Sequence, residues 1–252
     1  MLYNMQWFGK AIIQNLCPAS DSRHSQARMP DNSGMKMDEL TDWRARLIEL
    51  AGAGAGDDGA HDINHLHRVW RNACALLPHY PQADTLVVMA ACYLHDLVNL
   101  PKNHPQRSSA SRKSAISARD KLAALGFPAP RLDAVAHAIE AHSFSAAIAA
   151  HTIEAQIVQD ADRLDALGAV GLARLFYIAG QMNSALAHPD DPLALAREPD
   201  DRAYALDHIG VKLARLPGMM QTEAARSLGA KRLEALTAFR DTFAAEWLPA
   251  GS

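Results

Sequence analysis

Apolar residues recur at three- and four-residue spacing along most of this chain, and alternating Val/Ile/Thr runs are missing, which predicts an all-α protein. The first periodic stretch ends at AGAGAGDDGA, whose glycines break a helix. A second helix is expected over residues 62–77, stopped by Pro78. The third, over 84–96, contains the run LVVMAACYL, apolar enough on all sides to be a buried helix. Ser108 or Ser109 can cap a fourth that continues to Leu125, where Gly126 and two prolines end it. Residues 132–142 and 151–167 make a fifth and a sixth. Beyond Gly171 a helix over about 172–186 precedes the polar loop HPDDPLALAREPDD, and two more are expected near 204–216 and 222–247.

The first residues, MLYNMQWFGKAIIQNLCPAS, are apolar only in patches, interrupted by Asn4, Gln6, Lys10, Gln14 and Asn15, so neither a signal core nor a membrane span is expected. Residues 18–36 are polar, contain Pro and Gly, and lack periodicity. We therefore expect residues 1–36 to be a flexible extension, with Met35 and Met37 as alternative starts, and residues 37–250 to hold one folded domain. The 49% hydrophobic content is ample for that core.

Charge narrows the function classes. A formal net charge of −3 argues against a large nucleic-acid surface but permits a local basic mouth around a small anionic ligand. Cys17, Cys74 and Cys92 form no CxxC pair, which fits free thiols in a reducing cytoplasm. The chain has no GxGxxG, GxxxxGK[ST] or GxSxG motif, which removes the commonest dinucleotide, nucleotide-triphosphatase and serine-hydrolase readings.

The chemistry concentrates in a few histidines and aspartates. His61, His65 and His67 crowd the start of the second helix, and His61 and His65 share a face at i,i+4. His95-Asp96 closes the apolar helix and leads into a loop with Pro101, Lys102 and Pro105. An aspartate at a helix C-terminus is unfavourable against the dipole and calls for a compensating cation. Asp160, Asp162 and Asp165 lie within one helical turn and a half, where carboxylates repel unless a counter-charge is near. Neutral imidazoles and carboxylates together suit a divalent metal able to activate water.

The order His65, His95-Asp96, Asp162 resembles the H…HD…D signature of the HD-domain metal-dependent phosphohydrolases. The closer likeness is to a subgroup of stand-alone bacterial HD proteins. It rests on His65 to Val69 (HxxRV), His95 to Arg112 (HD with VNLPKN- and RSxxSR-like residues), Glu140 to Ser145 (EAHSFS) and Asp160 to Ala169 (DADRLDALGA). The likeness runs from about residue 40 to about 245. It implies an HD-domain helical bundle with His65, His95, Asp96 and Asp162 as ligands of a divalent ion. Mn²⁺ is favoured, with Mg²⁺, Co²⁺, Ni²⁺, Fe²⁺ and Zn²⁺ as the other candidates. The register leaves Asp165 as a partner behind the ligands and Asp160 as a solvated or supporting residue.

The family's HDxxE glutamate is replaced by Asn99, which cannot act as a base and is expected to orient water or substrate. Lys102, with Arg107 or Arg112, is expected to offset phosphate charge, and Lys113 flanks the same helix start. Arg68 shares the His65 face and is expected to reach the same pocket. Glu140 and His142 are candidate acid or base groups. Asp207, His208, Lys212 and Arg226 lie in a late segment expected either to cover the metal mouth or to pack Ile209, Leu213 and Leu216 on the core. The resulting expectation is hydrolysis of a phosphate ester or anhydride in a nucleotide or other small phosphorylated molecule. The alternatives are a two-metal oxygenase or phosphodiesterase using His104, His137, His142 or His151, and a catalytically silent nucleotide-binding sensor.

Overall fold

The computed structural model of the chain describes residues 36–52, 62–98 and 106–248. The expected flexible extension thus falls outside the described residues but for Lys36, and so do His61, Cys17, Asn99, Lys102 and His104.

The described residues are helical: α1 Met37–Gly52, α2 Ile63–Leu76, α3 Thr85–Leu94, α4 Ala110–Ala124, α5 Leu132–His142, α6 Ile153–Asp165, α7 Gly168–Gln181, α8 Asp207–Val211 and α9 Glu223–Trp247. Among them there is no strand, only an isolated bridge between Ala185 and Tyr204. Side-chain caps set four of these nine helix starts. Asp62 caps α2 by accepting from the His65 amide, Asp84 caps α3 through the Leu86 and Val87 amides, and Thr152 and Thr222 cap α6 and α9. Gly126, at φ +74°, ends α4 in the left-handed region that glycine adopts without strain.

The apolar third helix is the centre of the bundle. Every residue of α3 from Leu86 to Leu94 is buried, and α1, α2, α5 and α6 all pack on it. Helix α2 also lies along α6, α4 covers α5, and α7 pairs with α9 on the outer side of α6. The elements carrying His65, His95, His142 and Asp162 are therefore neighbours around one helix end.

Two expected helices differ. The seventh starts at Gly168 and stops at Gln181, because Gly168 itself turns the chain and Asn183 adopts φ 57°. The expected helix over 204–216 is broken into α8 and short 3₁₀ turns. Tyr204 is held in the bridge to Ala185, and the buried Asp207 carboxylate is engaged by both outer nitrogens of Arg197 at 2.6 and 2.7 Å. These side-chain bonds tie down the backbone that would otherwise start the helix, while Ile209, Leu213 and Leu216 still pack inward.

Candidate metal centre

Helix α2 presents His65 in its first turn, on the face that packs against α6. Two turns on, Asn72 of the same face donates to the Ala161 carbonyl at 2.9 Å and holds the two helices in register. His95 and Asp96 follow the last residue of α3, where the helix unwinds. Asp162 and Asp165 project from the last turn of α6, and His142 ends α5.

The side chains converge. His65 Nε2 lies 3.4 Å from His95 Nε2 and 3.5 Å from Asp162 Oδ1. Asp96 Oδ2 is 3.5 Å from His95 Nε2 and 3.9 Å from His65 Nε2, and Asp162 Oδ1 is 4.0 Å from His95 Nε2. Donors about 2.0–2.2 Å from a common ion stand roughly 3–3.6 Å apart, so the observed set is a slightly open version of such a shell. Two histidines buried to 1% exposure form its floor, and Asp96 and Asp162, with side chains 22% and 31% exposed, form its open side.

The ring orientations are fixed by what lies behind them. His65 Nδ1 faces Asp165 Oδ2 at 2.8 Å, and His95 Nδ1 faces the Cys92 carbonyl at 3.0 Å. Both partners are acceptors, so each neutral ring carries its proton on Nδ1 and turns the Nε2 lone pair into the site. Two imidazole lone pairs and two carboxylates meeting in one place are mutually repulsive without a cation, and the mixed nitrogen and oxygen set suits a divalent ion. His65, His95 and Asp162 are close enough to hold one, as are His95, Asp96 and His142.

His142 extends the cluster. Its Nδ1 donates to the Ile139 carbonyl at 2.6 Å, its ring packs edge-on to His95, and its Nε2 is 3.7 Å from Asp96 Oδ1. Burial, then the neighbouring His95, lower its pKa against the opposing pull of Asp96 and Asp162, so it is neutral near pH 7.

Asp165 stands directly behind His65. Its carboxylate accepts from Arg68 Nε at 2.8 Å, Arg68 Nη2 at 3.1 Å and Arg174 Nη1 at 2.5 Å. Burial works to raise its pKa, but the bonds from His65 and Arg68 and the charge of Arg174 outweigh it and hold the group well below the usual carboxylate range. The structure turns Arg68, expected to reach the substrate pocket, onto Asp165. Arg174 was not singled out by sequence; the signal available was the glycine pair in DALGAVG, which folds α7 back over α6.

Asp160 is neither solvated nor a support of the ligands. It is fully buried on the far side of α6, accepting from the amides of Gln221 and Thr222 at 2.9 and 2.8 Å and from the Thr222 hydroxyl at 2.7 Å, at the start of α9. Burial pushes its carboxyl up despite these bonds. Arg163 donates to the Met219 carbonyl.

The remaining candidates spread out. Arg107 lies in the 3₁₀ turn Arg107–Ser109, which packs against the turn just after His142. Arg112 and Lys113 are exposed on the first turn of α4, with Lys113 Nζ 2.7 Å from Gln106 Oε1, and Lys212 is exposed at the end of α8. His208 pairs with Asp201, and Arg226 donates to the Met220 and Gln221 carbonyls. His137 and His151 pair with each other, the His151 amide donating to His137 Nε2 at 3.1 Å, and Glu140 is half-buried on α5.

A helical bundle that brings one histidine, a His-Asp pair and a later aspartate to the end of its central helix defines the HD class of helical domains. The chain belongs to the HD-domain family: the family model for the HD domain matches residues 62–167. It is 34% identical over 180 residues to the uncharacterized protein YpgQ of Bacillus subtilis, covering 70% of this chain and 79% of YpgQ. The crystal structure of B. subtilis YpgQ in complex with ADP is similar at TM-score 0.60 and 30% identity, over 84% of this chain and 98% of that one. An HD-superfamily hydrolase from Bacillus thuringiensis is similar at TM-score 0.62 and 27% identity over the same shares. The fold is that of the HD-superfamily hydrolases. Among the described residues no helix is long and apolar enough to cross a membrane.

Proposed function

We propose that the protein is a cytoplasmic metal-dependent phosphohydrolase acting on a nucleotide, with nucleoside triphosphates the favoured substrates. The observation that carries the reading is the convergence of His65 Nε2, His95 Nε2, Asp96 and Asp162, with both Nδ1 positions committed to acceptors behind the site. The complex of YpgQ with ADP supports a nucleotide as ligand.

His65, His95, Asp96 and Asp162 would hold the ion, Mn²⁺ by preference. Such an ion supplies Lewis acidity, lowering the pKa of a water and polarising a phosphoryl oxygen. The protein's part is orientation and charge. His142 Nε2, neutral and facing the open carboxylate side, accepts a proton from the attacking water, taking the place of the base that Asn99 cannot provide. Asn99 and Lys102 follow the ligands directly in the chain, and there they would orient and neutralise the phosphate, with Arg107 near the His142 end of the site. Arg112, Lys113 and Lys212 are exposed cations available to the outer phosphates or the base. Arg68 serves through Asp165.

The test is a turnover screen of nucleoside mono-, di- and triphosphates and of simple phosphate esters, with Mn²⁺, Mg²⁺, Co²⁺, Ni²⁺ and Zn²⁺ added singly to metal-free protein. Release of phosphate or pyrophosphate that needs an added ion is the expected result; nucleotide binding without turnover under every ion would leave a sensor. One observation favours a second reading: His142 Nε2 faces the outer oxygen of Asp96, an arrangement that could hold a second ion and serve a two-metal phosphodiesterase or oxygenase. A stoichiometry of two ions per chain would select it, and one ion per chain the first.

A further inference from the structure

We infer that Arg174 is a positioning residue of the metal centre: it anchors the Asp165 carboxylate so that His65 keeps its proton on Nδ1 and points the Nε2 lone pair at the ion. This rests on the metal-site part of the reading above and not on the substrate.

Asp165 is the last residue of α6, buried, at the helix end where carbonyl dipoles oppose a negative charge. A carboxylate left there with one neutral imidazole would be a poorly compensated buried anion. Two guanidiniums supply the compensation from different directions. Arg68 belongs to α2, the helix that carries His65, and its fork spans both carboxylate oxygens. It therefore moves with His65 and fixes only the plane of the carboxylate relative to α2. Arg174 comes from α7 and donates to Oδ2, the same oxygen that receives His65 Nδ1–H. That contact fixes the shared oxygen against a third, independent element.

The turn between α6 and α7 is shaped for this delivery. Gly168 takes φ +73°, and at Gly171 a Cβ would lie 2.2 Å from the Ala166 carbonyl oxygen, so the two helices meet as closely as glycine permits. Arg174 follows Gly171 by three residues and also reaches the Asp165 carbonyl at 3.4 Å. Counting His65 as neutral, one carboxylate and two guanidiniums leave a net positive charge behind the centre, opposite in sign to Asp96 and Asp162. An imidazole protonated on Nε2 cannot bind an ion through that atom, so the identity of the acceptor behind Nδ1 decides whether His65 is a ligand.

The test uses the full chain stripped of metal, as parent, Arg174→Gln and Arg174→Lys. Mn²⁺ affinity is measured by titration calorimetry, and the tautomer of His65 is read from imidazole ¹⁵N shifts in the metal-free protein. Arg174→Gln is expected to weaken Mn²⁺ binding by up to about a hundredfold and to dilute the Nδ1–H tautomer, and Arg174→Lys, which keeps a charged donor, to lose about tenfold. A dissociation constant within twofold of the parent, in either variant, or weakened binding with an unchanged tautomer, overturns the inference. The Lys variant carries the test alone if the Gln variant fails to fold. Neither readout involves turnover, so a parent that binds Mn²⁺ and hydrolyses nothing would sink the phosphohydrolase reading and leave this one intact.

Discussion

Replacing Gly171 by Ala places a methyl group 2.2 Å from the carbonyl oxygen of Ala166 and 2.3 Å from its carbon, both backbone atoms. No rotamer can relieve that overlap, so α7 must retreat from the end of α6 by roughly 1 Å to restore ordinary contact. Overpacking of this kind costs about 3 kcal/mol when the neighbour cannot yield. Alanine recovers about 1 kcal/mol through its better helix preference and the smaller entropy of the unfolded chain. The net loss of about 2 kcal/mol corresponds to a fall in Tm of about 4–8 °C for a domain of this size. Gly168→Ala is the control. There the nearest atom is Arg232 Cγ at an ordinary 3.4 Å, and the cost is confined to φ +73°. That cost, about 1–2 kcal/mol for a left-handed alanine and offset by about 0.4–1 kcal/mol in the unfolded state, predicts a smaller shift. Thermal melts of the metal-free variants followed by circular dichroism provide the comparison. A Gly171→Ala protein melting at or above the parent, or above Gly168→Ala, would refute the reasoning about the junction.

His95→Ala and Asp96→Ala should each strip the ion and abolish any metal-dependent hydrolysis while the far-ultraviolet spectrum stays helical; full metal occupancy in both, by elemental analysis, would contradict the site. Asp162→Asn should weaken metal binding and leave the metal-free Tm near the parent's. Asp160→Ala should do the reverse, because it orphans the Gln221 and Thr222 amides at about 1–3 kcal/mol each; equal effects on both readouts would mean that the two faces of α6 have been confused. Asp165, with its pKa depressed in the fold, contributes stability that is present above its ordinary value of 3.8 and is lost as the pH falls below it. The stability gap between the parent and Asp165→Asn, from urea melts of metal-free protein, should therefore be widest near pH 6 and narrow below about pH 4; a gap independent of pH would show that Asp165 is not held ionised by its neighbours.

The all-α class and most helix spans were legible because apolar spacing is written locally; the one cap expected, Ser108 or Ser109, makes no side-chain cap bond at the start of α4, and Asp62, Asp84 and Thr152 supply the caps that the fold uses. His65, His95, Asp96 and Asp162 could be named because each sits in a short motif, and the structure brings the four together. What lay beyond the sequence depends on contacts between distant segments. Nothing near Asp160 in the chain says that it meets the start of α9, more than sixty residues on. Arg68 looked available to substrate because its helix face was correct, yet that face also meets Asp165. The helix expected over 204–216 has the apolar spacing, and fails because Arg197 and Ala185, outside the window, claim its first turn.

The uneven exposure of these four side chains would set the order in which an ion is taken up. A hydrated cation approaching from solvent would meet the hard oxygens of the more exposed Asp96 and Asp162 first, and would reach the two imidazoles only after shedding inner waters. The buried rings, already oriented by Asp165 and the Cys92 carbonyl, need no rearrangement to receive it. Release would run backward along the same path, so a chelator would work from the carboxylate side. Metal exchange would then proceed in the folded protein, with α3 and its packing undisturbed, and its rate would be set by water loss at the mouth rather than by opening of the bundle.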